Sequence, residues 1–181
     1  MSAGGIAAEI VSGATLRERR QGSLGKRRIA REMAIQMLYQ ADLAGSPPAE
    51  VVAAFDVADF ARERSAARGE TASAELLAEA AAALAHAGDL FAGTRERLDE
   101  IDALIRSQTE NWRLERMPAI DRNILRLAVF EMLSEVDVPK LVVVDEAVDL
   151  AKEYGSEQSG RFVNGLLDGL LRRHEFPGSL K

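Results

Sequence analysis

The stretch PAIDRNILRLAVFEMLSE, residues 118–135, is the most apolar helix-length segment of the chain. Its apolar residues recur three and four positions apart, which is the period of an α-helix. These residues are Ile120, Ile124, Leu127, Ala128 and Leu133, with Leu125, Val129 and Met132 beside them. A stripe this wide exceeds the single face that a surface helix buries. The stretch therefore predicts the central helix of an α-helical bundle.

The segments around this stretch also follow the helical period. We expect further helices over residues 28–44, 49–64, 143–154 and 156–174, and a long alanine-rich helix from Ser73 that Gly88 and Gly93 weaken. Strand-like alternation is rare, and β-branched residues cluster only at Val142, Val143 and Val144, which we expect in the core. The sequence therefore predicts an all-α fold, a compact bundle of six or seven helices.

Four residues mark the ends and the interior of the last two helices. Gly155 follows the apolar period of one helix and suits its C-terminal cap, and Ser156 is a candidate N-cap for the next. Asn164-Gly165 would signal a hairpin between two strands. The apolar residues on both sides keep the helical spacing, so we expect the helix to continue through this pair.

Charge is distributed unevenly along the chain, whose net charge is -6. Residues 1–31 carry seven Lys or Arg and two Glu, so they hold +5, and the remainder holds −11. Residues 1–25 show no sustained period and predict a flexible basic tail, and residues 26–181 predict a single helical domain. A basic arm on an acidic body favours a polyanion partner for the arm and a basic partner for the body.

Several classes of chemistry find no support in the sequence. The chain has no cysteine, and neither His86 nor His174 has the spacing of a metal site, so we expect no metal or other cofactor. No glycine-rich phosphate loop or nucleophile motif is present, which favours a protein that is not an enzyme. No apolar run is long enough to span a membrane and the first residues lack the order of a signal peptide, so we expect a cytoplasmic protein.

The stretch KRRIAREMAIQMLYQ, residues 26–40, places the densest positive charge at the start of a predicted helix. The helix dipole disfavours cations there, and an incoming phosphate would relieve that repulsion. Arg27, Arg28 and Arg31 lie within about one turn of each other, and arginine pairs bidentately with phosphate. Tyr39, further along, suits stacking on a base. The alternative is a solubilising surface with Tyr39 packed at the rim of the core.

Four segments together resemble the NusB family of bacterial transcription antitermination factors. They are RRIAREMAIQMLYQ (27–40), IDRNILRLAVFEML (120–133), DVPKLVVVDEAVDLAKEYG (137–155) and SEQSGRFVNGLLDGLL (156–171). Their order and spacing make the resemblance specific, whereas one segment alone would not. The sequence departs from the family pattern at Ile29, where a third basic residue is frequent.

The resemblance implies an all-helical fold of two small subdomains and a protein that is not an enzyme. It implies binding of single-stranded boxA-type RNA together with the ribosomal protein NusE, and action on RNA polymerase, notably in ribosomal RNA operons. The contact with NusE would draw on the helix that starts at Pro118, with Asp121 as a candidate. By motif position, the RNA-binding residues would be Arg27, Arg28, Arg31, Gln36, Tyr39, Ser159, Arg161 and Phe162.

Other functions remain open from the sequence. Some RNA cytosine methyltransferases have an N-terminal domain of this fold, but their nucleophilic cysteine is absent here. A helical adaptor or homodimer that binds only proteins would leave the basic arm solubilising, and family members that dimerise keep this alternative open. Phe162 also fits the apolar stripe of its helix, so core packing competes with base stacking for that residue.

Overall fold

The computed structural model of the protein describes residues 25–109, 113–134 and 137–178. Within these ranges all regular structure is helical, which confirms the all-α prediction. The α-helices are α1 (25–44), α2 (Pro48–Ala53), α3 (Val57–Ala66), α4 (Ala74–Glu96), α5 (Leu98–Ser107), α6 (Ala119–Ser134), α7 (Lys140–Tyr154) and α8 (Ser159–Arg173). One turn of 3-10 helix, Leu114–Arg116, precedes α6. The predicted tail, residues 1–25, lies outside the described residues except for its last position.

Two predicted helices are each divided, so the described ranges hold more helices than the six or seven expected. The segment 49–64 breaks because the carboxylate of Asp56 accepts hydrogen bonds from the N–H groups of Ala58 and Asp59, which caps a new helix. The alanine-rich helix begins at the N-cap Ser73 as expected. It runs unbroken through both glycines and ends at Arg97, whose backbone leaves the helical region.

Glycine serves close packing in two places where the sequence predicted weakness or a cap. A Cβ at Gly93 would collide with the ring of Phe130 on α6, so this glycine lets α4 and α6 approach. Gly155 caps α7 as predicted, with an extended backbone, and a Cβ there would collide with Ser159. The prediction that Ser156 caps α8 is wrong, because α8 begins only at Ser159.

Helix α6 is the centre of the bundle, as its wide apolar stripe predicted. It packs against α4, α5, α7 and α8, and its buried residues face every direction around the helix axis from Asp121 to Met132. Helices α2, α3 and α5 also pack on α4, so one group of helices gathers around α4 and a second around α6. The buried apolar side chains of both groups form one continuous core.

A buried ion pair crosses the core between α5 and α6. The guanidinium of Arg126 donates to both carboxylate oxygens of Asp102, at 2.8 and 2.9 Å. The same arginine reaches Asp42 on α1 at 3.4 Å, and Asn123 donates to that carboxylate at 3.2 Å. Polar groups this deep are stable only when they are paired, so the network fixes how α1, α5 and α6 meet.

The start of α7 departs from prediction in its length and its orientation. The helix begins at Lys140, three residues before the expected position, directly after the N-cap Pro139. Val143 and Val144 are buried as predicted, but Val142 is 38% exposed and Leu141 68% exposed, so the core prediction for Val142 is wrong. The helical period turns these two neighbours toward solvent. None of the helices in the described ranges is long and apolar enough to cross a membrane.

Candidate nucleic-acid interface

The N-terminal turns of α1 carry the three predicted arginines in three different environments. Arg27 is exposed and has no ion pair among the described residues. Arg28 is partly buried, and its guanidinium contacts three carboxylates. Arg31 is 4% exposed. Only Arg27 therefore offers a free guanidinium to a phosphate without first losing an internal partner.

Arg31 lies in a buried bidentate pair with Glu131 of α6. Its Nε donates to both carboxylate oxygens at 2.9 and 3.1 Å, and its Nη2 donates to one of them at 2.9 Å. Its Nη1 also lies 3.4 Å from a carboxylate oxygen of Glu146 on α7. These contacts occupy all three nitrogens of the Arg31 guanidinium. Contact between Arg31 and RNA therefore stays a prediction, and it would require Arg31 to break hydrogen bonds inside the chain.

Arg28 bridges α1 to α7. Its Nε donates to Glu32 at 3.1 Å, its Nη1 to Glu146 at 3.3 Å, and its Nη2 to Glu153 at 2.9 Å. Burial lowers the pKa of the Arg28 guanidinium, but the hydrogen bonds to Glu32 and Glu153 outweigh it and leave the pKa raised. Arg28 is therefore charged and held in place when the chain is free.

Helix α3 and the turn after it supply two further arginines that sequence reasoning missed. Arg64 donates to the buried carboxylate of Glu32, and Arg68 donates to Glu153 at 2.7 Å. We call the arginine–glutamate cluster the set Arg28, Arg31, Arg64, Arg68, Glu32, Glu131, Glu146 and Glu153. Its four cations and four anions balance. The repulsion between the α1 arginines and the helix dipole is thus offset by carboxylates of the chain itself. The sequence analysis had expected a bound phosphate to offset it.

Glu153 occupies a special position in the cluster because it joins two arginines. One carboxylate oxygen accepts from Arg28 and the other from Arg68. Burial raises the pKa of the Glu153 carboxyl, but the two guanidinium groups lower it more, so the net pKa is below its usual value of 4.5. The Glu153 side chain is 31% exposed, so solvent reaches this carboxylate.

A cavity of about 710 Å³ lies beside the cluster, between α1, the α2–α3 connection and the end of α7. Two predicted RNA-binding residues, Gln36 and Tyr39, line it together with Tyr154, Phe55 and Phe60. The charged residues that line it are all acidic, namely Glu32, Asp56, Asp59 and Glu63. Phosphates are disfavoured against such a wall, so this cavity suits an apolar, flat or cationic group.

The N-terminal end of α8 holds the second group of predicted residues. Ser159 is buried; its hydroxyl accepts from the N–H of Ser156 and donates to Asp121 of α6 at 2.9 Å. Phe162 packs partly against the core, and Arg161 is exposed with no ion pair among the described residues. Ser159 therefore positions the start of α8, and Arg161 is the residue of this group that faces solvent.

Asp121, the predicted contact for a protein partner, is 4% exposed. One carboxylate oxygen binds Ser159, and the other is buried with no hydrogen-bond partner among the described residues. The isolated chain presents little of this side chain at its surface. Its neighbour Ile120, by contrast, lines the cavity, so the predicted partner contact at Asp121 stays a prediction and Ile120 gives α6 access to that surface.

Hydrogen bonds link each group of predicted residues to a segment that lines the cavity. Glu153, the partner of Arg28, is followed by Tyr154, which lines the cavity with Gln36 and Tyr39. Asp121, the partner of Ser159, follows Ile120, which lines the same cavity. Arg28 of α1 and Ser159 of α8, far apart in sequence, are thus each hydrogen-bonded to a residue whose chain neighbour lines this cavity. In the described residues, no three His, Asp or Glu side chains are arranged to hold a metal ion.

Comparisons with known proteins agree with the motif resemblance. Residues 28–172 match the model of the NusB family. The transcription antitermination protein NusB of Sorangium cellulosum is 41% identical over 145 residues, which are 80% of this chain and 91% of the relative. NusB of Myxococcus xanthus is 43% identical over 145 residues, 80% of this chain and 94% of the relative.

Two solved structures extend the comparison to the fold. A T. maritima NusB structure is 33% identical, has a TM-score of 0.63, and covers 82% of this chain and 92% of its own. A crystal structure of the antitermination factors NusB and NusE in complex with dsRNA is 28% identical, has a TM-score of 0.60, and covers 82% of this chain and 98% of its own.

Proposed function

The chain belongs to the NusB family, and from that premise we propose that it is a transcription antitermination factor that binds single-stranded RNA together with NusE. The boxA type of RNA and the setting, RNA polymerase on ribosomal RNA operons, are part of this proposal. The observation that supports it is a cavity that Gln36 and Tyr39 line with Tyr154 and Ile120. The chain neighbours of the last two, Glu153 and Asp121, are hydrogen-bonded to Arg28 of α1 and Ser159 of α8. The similar structure of NusB and NusE contains double-stranded RNA, and the single-stranded preference rests on the family resemblance.

The residues of this surface divide into three roles. Arg27 and Arg161 are exposed cations, which suits the RNA backbone. Gln36 and Tyr39 line the acidic cavity, which suits bases whose phosphates lie outside it. Arg28 joins the phosphate contacts if its carboxylates release it.

Three further predicted residues shape this surface from inside. Arg31 and Ser159 are buried and hydrogen-bonded, so we assign them the positioning of α1 and α8 rather than direct contact. Phe162 is half-buried against the core, so its ring supports α8, and its contact with a base stays a prediction.

A basic protein partner fits the same surface from the acidic side. The body of the chain carries most of the negative charge, and the charged residues that line the cavity are all carboxylates. Electrostatic complementarity speeds association and selects partners. We propose that NusE docks where α6 and the cavity meet, near Ile120 and Asp121. The surface that binds NusE would then lie next to the surface that binds RNA.

The proposal is tested by fluorescence anisotropy with a short labelled boxA-like strand and a scrambled strand of equal composition, each with and without NusE. We expect preference for the boxA-like strand, strengthened by NusE. The Arg27→Ala variant should weaken binding by about fivefold and reduce the steepness of the salt dependence, because it removes one phosphate contact. Arg27 is exposed, so this variant should fold as the parent chain does.

Arg62→Ala is the matched control, because Arg62 is an exposed arginine on α3 whose ion pair among the described residues is with Asp59, three positions before it. It should bind the RNA as the parent chain does. Equal, weak binding of both strands that NusE does not change would contradict the proposal. Sedimentation with and without RNA separates the homodimer alternative, since a dimer that covers α1 would dissociate when RNA binds.

A further inference from the structure

The carboxylate of Glu153 holds two guanidinium groups that are separate in sequence. Arg28 of α1 donates from Nη2 to one oxygen at 2.9 Å, and Arg68 after α3 donates from Nη2 to the other at 2.7 Å. A phosphodiester offers arginine the same kind of charged acceptor oxygens as a carboxylate. The two arginines therefore form an anion-binding site, which the carboxylate of Glu153 occupies.

We propose that the space between Arg28 and Arg68 is a phosphate-binding subsite for RNA, and that Glu153 fills it in the free chain and leaves it when RNA binds. This inference rests on the proposed RNA binding and adds to it. It assigns a phosphate contact to Arg68, which no sequence motif indicated. It also makes Glu153 an internal competitor that lowers the affinity for RNA.

The position of Glu153 allows it to leave without disturbing the fold. It lies in the last turn of α7, one residue before Tyr154 ends the helix. The Glu153 side chain is 31% exposed, the Arg68 side chain 33% and the Arg28 side chain 19%. Exposed side chains change rotamer on a fast timescale, so a phosphate can replace the carboxylate without a backbone movement.

The rest of the cluster holds the two arginines ready for a phosphate. Glu32 has a side chain only 1% exposed, and it contacts Arg28 at 3.1 Å and Arg68 at 3.6 Å. This buried carboxylate stays between them when Glu153 leaves. Glu146, 26% exposed, contacts Arg28 from the other side at 3.3 Å. The guanidinium groups are thus oriented before RNA arrives, which reduces the entropy lost on binding.

Besides Glu32 and Glu146, three residues of the cluster do not belong to the subsite. Arg31 and Glu131 form the buried bidentate pair, with 5% of each side chain exposed. Arg64 directs its Nε to Glu32. The subsite therefore consists of Arg28 and Arg68 as binding residues and Glu153 as the competitor, and the other members support them.

The first test compares the RNA affinity of Glu153→Gln with that of Glu175→Gln by anisotropy at low salt. Both variants raise the net charge by one, but Glu175 lies beyond the far end of α8 and has no ion pair among the described residues. We expect Glu153→Gln to bind RNA about fivefold more tightly, the effect of removing surface ion pairs of ordinary strength. We expect Glu175→Gln to have a much smaller effect. Equal affinities of the two variants would overturn the proposal.

The second test examines Arg68 by the Arg68→Gln variant. The Arg68 side chain is 33% exposed, so we expect this variant to fold as the parent chain does. Its RNA affinity should fall by about threefold, and the slope of log K against log salt should become shallower by about 0.7, the contribution of one phosphate contact on a single strand. An unchanged slope would overturn the phosphate contact. Arg62→Ala again controls for the loss of a surface arginine.

The third measurement follows the unmodified protein by NMR of its glutamate carboxyl carbons. Adding RNA should shift the Glu153 carboxyl signal, because both of its guanidinium partners turn to phosphate. The buried Glu131 signal should stay in place. If RNA binds with the predicted preference and Glu153 does not shift, the subsite is refuted while the proposed function stands. If the parent chain binds no RNA, the proposed function and this inference both fail.

Discussion

Two sets of arginines in this molecule meet carboxylates in opposite surroundings. Arg126 and Arg31 form bidentate pairs inside the bundle, with Asp102 and Glu131. Arg28 and Arg68 share Glu153 at the surface. The buried pairs are costly to break because the charge that remains is buried and water cannot solvate it. The surface pairs are weak because water replaces either partner, and that weakness is what makes them exchangeable for RNA.

The largest expected effect in this comparison is the loss of a buried partner. Arg126→Ala leaves Asp102 buried and unpaired, and should lower the free energy of unfolding by about 3–5 kcal/mol. Urea unfolding followed by circular dichroism measures this change. Arg62→Ala, which breaks an exposed pair with Asp59, should cost less than about 1 kcal/mol. An equal decrease in the free energy of unfolding in the two variants would show that burial does not make the inner ion pairs more important for stability than the surface pairs.

The second expected effect separates stability from RNA contact at Arg31. Arg31→Met alone should destabilise the fold by about 3 kcal/mol or more, because it leaves Glu131 unpaired. The double variant Arg31→Met and Glu131→Leu should recover most of that loss, since two apolar side chains of similar volume replace the pair. Both free energies come from the same urea titrations.

The stable double variant then decides the role of Arg31 in binding. If Arg31 only positions α1, its RNA affinity should stay within about twofold of the parent chain, a difference too small for a charged hydrogen bond. A loss of tenfold or more, about 1.4 kcal/mol, would restore Arg31 as a direct RNA contact, as its place in the motif predicts.

The smallest expected effect concerns pH at the surface pairs. The pKa of Glu153 is lowered in the fold, so its contribution to stability is present above its usual value of 4.5 and is lost as pH falls through the lowered value. Glu153→Gln lacks this contribution at every pH. The two proteins should differ in Tm by at most about 3 °C near neutral pH, and the difference should vanish in acid. A Tm difference that grows as pH falls would contradict the conclusion that the charged form of Glu153 stabilises the fold.

Helix α6 and the arginine cluster show how far sequence reasoning reaches. The apolar period of residues 118–135 was enough to predict a central helix, because its apolar stripe is wider than the one face that a surface helix buries. The two divided helices were missed for local reasons. An aspartate cap at Asp56 and a change of backbone direction at Arg97 leave the apolar period almost unchanged.

The candidate site was predictable in its residue types but not in its partners. The motif placed Gln36 and Tyr39 on α1 and Arg161 on α8, and the structure shows that Gln36 and Tyr39 line one cavity and that Arg161 is exposed. It did not indicate Arg68, whose approach to Glu153 spans 85 residues. No local pattern encodes a contact between side chains that far apart in the chain.

The sequence by itself determined the helical class, the central helix and the family, since each depends on periodic or ordered residues within short segments. Only the tertiary structure decided which cations are free. Arg27, Arg28 and Arg31 are equivalent in the sequence, yet one is exposed, one is shared among three carboxylates and one is buried in a bidentate pair. The reason is physical: the charge that a side chain presents to a ligand depends on the carboxylates and the solvent around it, and folding brings those from distant segments.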